Sequence, residues 1–265
     1  MTVPPLTWLY VPADRPDRVA KAIASRAHAV IVDLEDGVAP AGRASAREGL
    51  PAMLGDQQAK PVLVRVNHGD EADLAVVARL PVAGVVVPKV AGPGDVPRTD
   101  LPVHCLLESA AAVEAAYDIA RVPGVARISL GEADLRSETG ATEAGLDWAR
   151  GRIVNAAVAA GLSRPPQSVF TRLGDDDGLL RSCLRGRELG HLGRMAIHPA
   201  QLEIVEEAYL PTDDEVDQAR ATLARTAPGT LGDGSFVDPA MTGAAALTVA
   251  LASRYGTRRA GPVDP

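Results

Sequence analysis

The chain has 265 residues, 46% hydrophobic and 23% charged, enough for one large or two small folded units of ordinary globular composition. A net charge of −7 and an aromatic content of 3% argue against a polyanionic partner and a base-stacking surface, and so against nucleic acid. Two cysteines in or beside apolar stretches, with no CxxC and no HExxH, argue against disulfides and zinc and fit a reduced, cytoplasmic protein. The N-terminus has no basic start and no long apolar run, and no stretch is long enough to cross a membrane.

A strand at 7–11 leads to a helix over 14–26, with Asp14 as its cap and Pro16 in its first turn. A strand at 29–34 precedes a helix over 43–54. Strands at 62–66, 84–88 and 102–107 follow, and the last enters an Ala-rich helix over 109–120 capped by Ser109. The strand at 125–130 precedes the longest helical signal, 142–160, which Gly161 ends. A strand at 166–170, a helix over 178–190, a strand at 194–198 and a helix over 200–209 complete the alternation. Eight strands alternating with helices predict an α/β fold, a parallel sheet closed as a (β/α)8 barrel over residues 1–210. Residues 211–265 form a C-terminal helical extension, with helices over 211–225 and 239–255 and a Gly-rich mobile loop at 227–235. It packs on the barrel or on a neighbouring subunit.

Charged and amide residues cluster where these strands end, which is where α/β folds place chemistry. Glu108 closes one strand and Asp134 lies just past the next. Two carboxylates without a cysteine or histidine cluster suit a hard cation such as Mg²⁺. The competing reading is that Glu108 caps the next helix and Asp134 is a solvated loop acid. Asp33, Glu35 and Asp36 form a second acidic group, either a solvated rim or an outer shell around a metal. Arg65 stands at a strand end with Asn67 on the same face; it grips a substrate carboxylate or pairs with one of those acids. Lys89 reads as an acid-paired lysine ahead of a Schiff-base one. Gly131-Glu132-Ala133 is a short turn whose backbone N–H groups can hold a carboxylate. Among the histidines His198, at the last strand end, is the best placed.

These segments recur in a particular order. Pro12-Ala13-Asp14-Arg15-Pro16, Asp33-Leu34-Glu35-Asp36-Gly37-Val38, Val64-Arg65-Val66-Asn67 and Val87-Pro88-Lys89 come first. Leu107-Glu108-Ser109-Ala110, Gly131-Glu132-Ala133-Asp134-Leu135, Ile197-His198-Pro199-Ala200-Gln201 and Phe236-Val237-Asp238-Pro239 follow. The series resembles the citrate lyase β-subunit-like branch of the HpcH/HpaI aldolase family, over residues 10–238. The resemblance implies a (β/α)8 barrel assembled as a homotrimer or hexamer. It implies Mg²⁺-dependent cleavage or formation of a C–C bond in a β-hydroxyacyl thioester of the citryl-, citramalyl- or malyl-CoA type, linking an acyl-CoA with a 2-oxo acid. It implies that Glu108 and Asp134 hold the metal, that Arg65 binds the keto-acid carboxylate, and that Arg15, Arg18 and Lys21 face the phosphates of coenzyme A. It also implies that Asp238 reaches a neighbouring subunit's site as an acid/base group. Arg43 stands where the family commonly has lysine, and Ser109 where it has threonine. Three alternatives remain open: a class II aldolase on free 2-oxo acids, a β subunit that needs an acyl carrier protein, and a barrel that binds a metabolite without turnover.

Overall fold

Seven strands form one all-parallel sheet: β1 (Thr7–Pro12), β2 (Ala29–Asp33), β3 (Val62–Arg65), β4 (Gly84–Val87), β5 (Val103–Leu107), β6 (Val125–Leu130) and β7 (Arg194–Ala196). The computed structural model describes residues 3–225, 229–230, 236–237 and 241–258. The strand order is β6-β5-β4-β3-β2-β1-β7. Helices occupy the crossovers: α1 (Pro16–Ala24), α2 (Arg43–Leu54), α3 (Glu71–Val77), α4 (Ala110–Glu114), α5 (Ala116–Ala120), α6 (Glu132–Thr139), α7 (Asp147–Ala159) and α8 (Asp176–Glu188).

Side chains alternate across each strand. One set, including Val30, Val32, Val62, Val64, Val85, Cys105 and Ile128, is buried with helix residues such as Val19, Leu50 and Ile153. The opposite set, Trp8, Ala29, Ile31, Leu63, Val86, Leu106 and Met195, forms a second cluster drawn from β1, β2, β3, β4, β5 and β7. Strands so far apart in the sheet order share one cluster only because the sheet curls around it. The registers set Pro12 beside Asp33 and Asp33 beside Arg65, so the carboxyl ends of β1, β2 and β3 are level.

The expected strand at 166–170 is not formed. Gln167 alone bridges to Arg194 of β7: its N–H donates to Gly193 O at 2.9 Å and its carbonyl accepts from Met195 N at 3.0 Å. Pro165 and Pro166 bring no N–H to a ladder. The buried Arg194 side chain holds the segment instead, with Nε donating to Ser168 O at 3.0 Å and Nη1 to Gln167 Oε1 at 3.1 Å. Among the described residues the ladder runs through seven strands of a curled parallel sheet, and none joins β6 to this segment.

Other boundaries move for local reasons. Arg15, not Asp14, occupies the α1 N-cap, without a side-chain cap bond. Ser109 does cap α4, accepting from Ala112 N at 3.2 Å, but the helix breaks at Ala115. The Gly131-Glu132-Ala133 turn is the start of α6, with Gly131 as its N-cap.

The chain divides into two compact units, Pro5–Glu206 and a second that takes it up from Glu207. A further helix, α9 (Gln201–Tyr209), spans that division in sequence. In the second unit α10 (Asp213–Leu223) begins with a capping box in which Thr212 Oγ1 accepts from Glu215 N at 3.1 Å. It packs against α11 (Thr242–Tyr255). β8 (Gly229–Thr230), inside the expected Gly-rich loop, pairs antiparallel with β9 (Phe236–Val237), just past its end.

Candidate active site

A cavity of about 360 Å³ opens at the carboxyl ends of the strands. Tyr10 and Pro12 of β1, Asp33, Asp36, Gly37, Arg65, Glu108 and Gly131 to Asp134 line it, with Ser168, Val169 and Ile197 opposite. Leu106, Leu130 and Met195 supply apolar wall.

Asp33 and Arg65 face each other in register, and their side chains pair. Arg65 Nε donates to Asp33 Oδ1 at 2.7 Å and Nη2 to Oδ2 at 2.6 Å. Asp33 also accepts from Glu35 N at 2.9 Å and Gly37 N at 2.8 Å. Glycine is required at 37 because a Cβ there would stand 2.5 Å from Asp33 Oδ2. Arg65 Nη1 lies 3.0 Å from Glu35 Oε2. A guanidinium carries five N–H donors, so one on each Nη remains for a ligand. Burial opposes the Arg65 charge, but the Asp33 hydrogen bonds and surrounding carboxylates hold its pKa above the ordinary value. Of the two readings of Arg65, the structure shows acid pairing, on a side chain that also lines the cavity.

Glu108 is nearly buried, and its Oε2 accepts from Lys89 N at 2.9 Å. Lys89 adopts φ +55, in the left-handed region, and its Nζ donates to Glu35 Oε1 at 2.6 Å. Burial pushes the Glu108 carboxyl up to about 7, helped by the charges of Glu35 and Asp134 and opposed by the Lys89 N–H and Arg65. Asp134 is exposed in the first turn of α6, with no ion-pair partner among the described residues. Gly131 leaves room for Glu108: a Cβ there would stand 2.3 Å from its Cγ. Two carboxylates facing one cavity, one of them short of positive partners, form a donor set that suits a hard divalent cation. Among the described residues no three His, Cys, Asp or Glu side chains form a fuller metal group.

The Gly131–Ala133 turn is less open than expected, since Gly131 N donates to Leu107 O at 2.8 Å and Glu132 N to Ser168 Oγ at 3.4 Å. The Glu132 side chain is held by the buried Arg150, Nε to Oε1 at 2.9 Å and Nη2 to Oε2 at 2.6 Å. Arg15, Arg18 and Lys21 are exposed on α1 and do not line this cavity; Lys21 sits 3.7 Å from Asp17. His198 is exposed, and its Nδ1 accepts from Ala200 N at 3.2 Å, which makes it a turn residue outside the cavity. Asp238 lies outside the described residues. The sequence reading missed Tyr10 and Arg150. The alternation that marks Arg65 also sets Tyr10 on the Trp8 face of β1, whereas nothing local marks Arg150.

A curled parallel sheet with a carboxylate-rich cavity at its strand ends, gripped by one arginine, defines a small-molecule site of α/β enzyme type. The family profile described as HpcH/HpaI aldolase/citrate lyase matches residues 6–199. A (3S)-malyl-CoA thioesterase of Cereibacter sphaeroides is 33% identical over 235 residues, covering 82% of this chain and 81% of the relative. A citrate lyase subunit beta-like protein of Deinococcus radiodurans is 32% identical over 263 residues, covering 89% and 92%. The crystal structure of CitE from Mycobacterium tuberculosis, in complex with magnesium, acetoacetate and coenzyme A, superposes with a TM-score of 0.79 at 29% identity, covering 94% of this chain and 98% of that one. The chain belongs to the HpcH/HpaI aldolase/citrate lyase family.

Proposed function

We propose that this protein is a Mg²⁺-dependent carbon–carbon lyase that cleaves or forms a β-hydroxyacyl-CoA thioester, linking an acyl-CoA with a 2-oxo acid. The observation that carries the reading is the convergence of Arg65, Glu108 and Asp134 on one cavity at the strand ends. Glu108 and Asp134 would hold the metal, with Asp33, Glu35, Asp36 and Lys89 as the outer charged groups. When bound, the ion supplies Lewis-acid stabilisation of the negative charge that develops on the substrate's hydroxyl oxygen. Arg65 binds the carboxylate of the 2-oxo acid portion through its two remaining N–H donors. Asp33 fixes the guanidinium plane, so the carboxylate meets a pre-aligned fork. The amides of Glu132 and Ala133 at the α6 N-terminus add positive potential on the same side.

In the cleavage direction a base takes the hydroxyl proton, the C–C bond breaks with its electron pair passing to the thioester as an enolate, and the enolate takes up a proton. We assign that proton to Asp238, and the coenzyme A phosphates to Arg15, Arg18 and Lys21, on the family resemblance. Closure of the sheet as a (β/α)8 barrel over 1–210, a helical extension over 211–265 that packs on the barrel or on a neighbouring subunit, and a homotrimer or hexamer belong to the same proposal.

A second reading, thioester hydrolysis, is favoured by the thioesterase name of one relative. A turnover screen of the purified chain with malyl-, citramalyl- and citryl-CoA and with free hydroxy-oxo acids tests both. Lyase activity releases a 2-oxo acid and an acyl-CoA; hydrolysis releases free CoA and the intact hydroxy acid. Turnover of free acids alone would replace the proposal with a class II aldolase, and inactivity that an acyl carrier protein restores would replace it with a dependent β subunit.

A further inference from the structure

Tyr10 carries a polar group in this cavity that neither the family resemblance nor the metal-centred reading uses. It lies two residues after Trp8 on β1, and the alternation of that strand turns both to the inside of the curled sheet. Its ring packs partly against the cluster of Trp8, Ile31, Leu106 and Met195. The Arg65 guanidinium lies over the ring, with Cζ 5.0 Å from its centroid. The ring is thus fixed from below by apolar packing and on one face by a cation–π contact. The side chain borders the cavity. Among the described residues its hydroxyl makes no hydrogen bond. Of the neighbouring acceptors, Asp33 is engaged by Arg65 and two backbone N–H groups, Glu35 Oε1 by Lys89 Nζ, and Glu108 Oε2 by Lys89 N. A half-buried phenol normally finds a partner for its O–H, and a phenylalanine would fill the same packing volume. The hydroxyl is the part that packing leaves unexplained.

We propose that Tyr10 is a substrate-binding residue whose phenolic O–H donates a hydrogen bond to the oxo oxygen of the 2-oxo acid whose carboxylate Arg65 holds. The inference rests on the lyase reading of the site and names the group that recognises the oxygen at the reacting carbon. Arg65 reads the carboxylate, and Tyr10 separates a 2-oxo acid from the plain carboxylic acid of the same length. A site built to hydrogen-bond a substrate oxygen rejects the analogue that lacks it.

The test is calorimetric titration of the wild-type protein and Tyr10→Phe, both with Mg²⁺, using pyruvate against propionate and oxaloacetate against succinate. Loss of one such hydrogen bond is expected to weaken 2-oxo acid binding about tenfold, with propionate and succinate unchanged and the thermal midpoint preserved. The preference for the oxo acid therefore shrinks by the same factor. Equal binding of the oxo acids by both proteins, or equal weakening for oxo and plain acids, overturns the Tyr10 assignment while leaving the lyase reading intact. If the wild-type protein binds no 2-oxo acid, the lyase reading itself fails and takes this inference with it.

Discussion

Replacing Gly131 by alanine isolates the geometry of the proposed metal site with one methyl group. Gly131 has φ −95 and ψ 91, a conformation open to any L-residue, so the substitution introduces no backbone strain. The added Cβ would stand 2.3 Å from Glu108 Cγ, 2.6 Å from Oε1 and 2.9 Å from Cδ, against an ordinary contact that begins at 3.4 Å. The nearest atom is in the stem of Glu108, not at its flexible end. To restore contact distance the side chain must retreat about 1 Å, and misplacement on that scale costs roughly 10²-fold in rate. Overpacking adds about 1–3 kcal/mol of destabilisation. The assay pairs a Mg²⁺ titration with steady-state turnover and thermal unfolding of Gly131→Ala. The expected result is a folded protein with weakened Mg²⁺ binding and a kcat/KM lower by about two orders of magnitude. A folded variant with wild-type Mg²⁺ affinity and turnover would show that the position of Glu108 does not matter to the chemistry.

The same contacts set four further expectations. With its carboxyl raised to about 7 from an ordinary 4.5, Glu108 competes with Mg²⁺ for a proton. Apparent Mg²⁺ affinity therefore rises by up to about tenfold per pH unit below that value and levels off above it, with proton release measurable by calorimetry in buffers of different ionisation enthalpy. The sign for stability is the reverse of the usual carboxylate: between pH 4.5 and about 7 the native state holds the extra proton. Glu108 thus contributes less to metal-free stability as pH rises through that window, read as the unfolding midpoint against Glu108→Gln. Asp33→Ala leaves the half-buried Arg65 without its bidentate partner and is expected to cost about 3 kcal/mol in chemical denaturation, with a raised KM for the 2-oxo acid. Lys89→Gly and Lys89→Ala both remove the ammonium paired with Glu35, but only glycine suits φ +55. The glycine variant should be the more stable by about 1 kcal/mol.

The strands were legible because a buried parallel strand needs an uninterrupted apolar run, and Val30-Ile31-Val32 and Val85-Val86-Val87 each supply one. The segment at 166–170 has no such run, only Val169-Phe170 after Gln167 and Ser168; Pro165 and Pro166 cannot donate to a ladder, and a side chain 28 residues from Pro166, that of Arg194, holds it instead. The acids and the arginine were legible as strand-end residues; their pairing was not. Asp33 and Arg65 are 32 residues apart, and only the parallel register joins them. Nothing local in the sequence pairs the Glu132 side chain with Arg150, 18 residues on, which takes both its oxygens. Gly131 looked like a turn glycine, whereas its φ is ordinary and its smallness serves Glu108. Tyr10 was hidden among apolar neighbours, since an aromatic in a strand reads as core until its hydroxyl is placed.

One time course with purified protein and malyl-CoA or citramalyl-CoA, following 2-oxo acid and free thiol together, with Mg²⁺ and then with EDTA, decides whether the site acts as a lyase. The account predicts stoichiometric 2-oxo acid and acyl-CoA, no thiol release, and loss of turnover on chelation. Thiol released without 2-oxo acid, or cleavage that chelation leaves untouched, would contradict it.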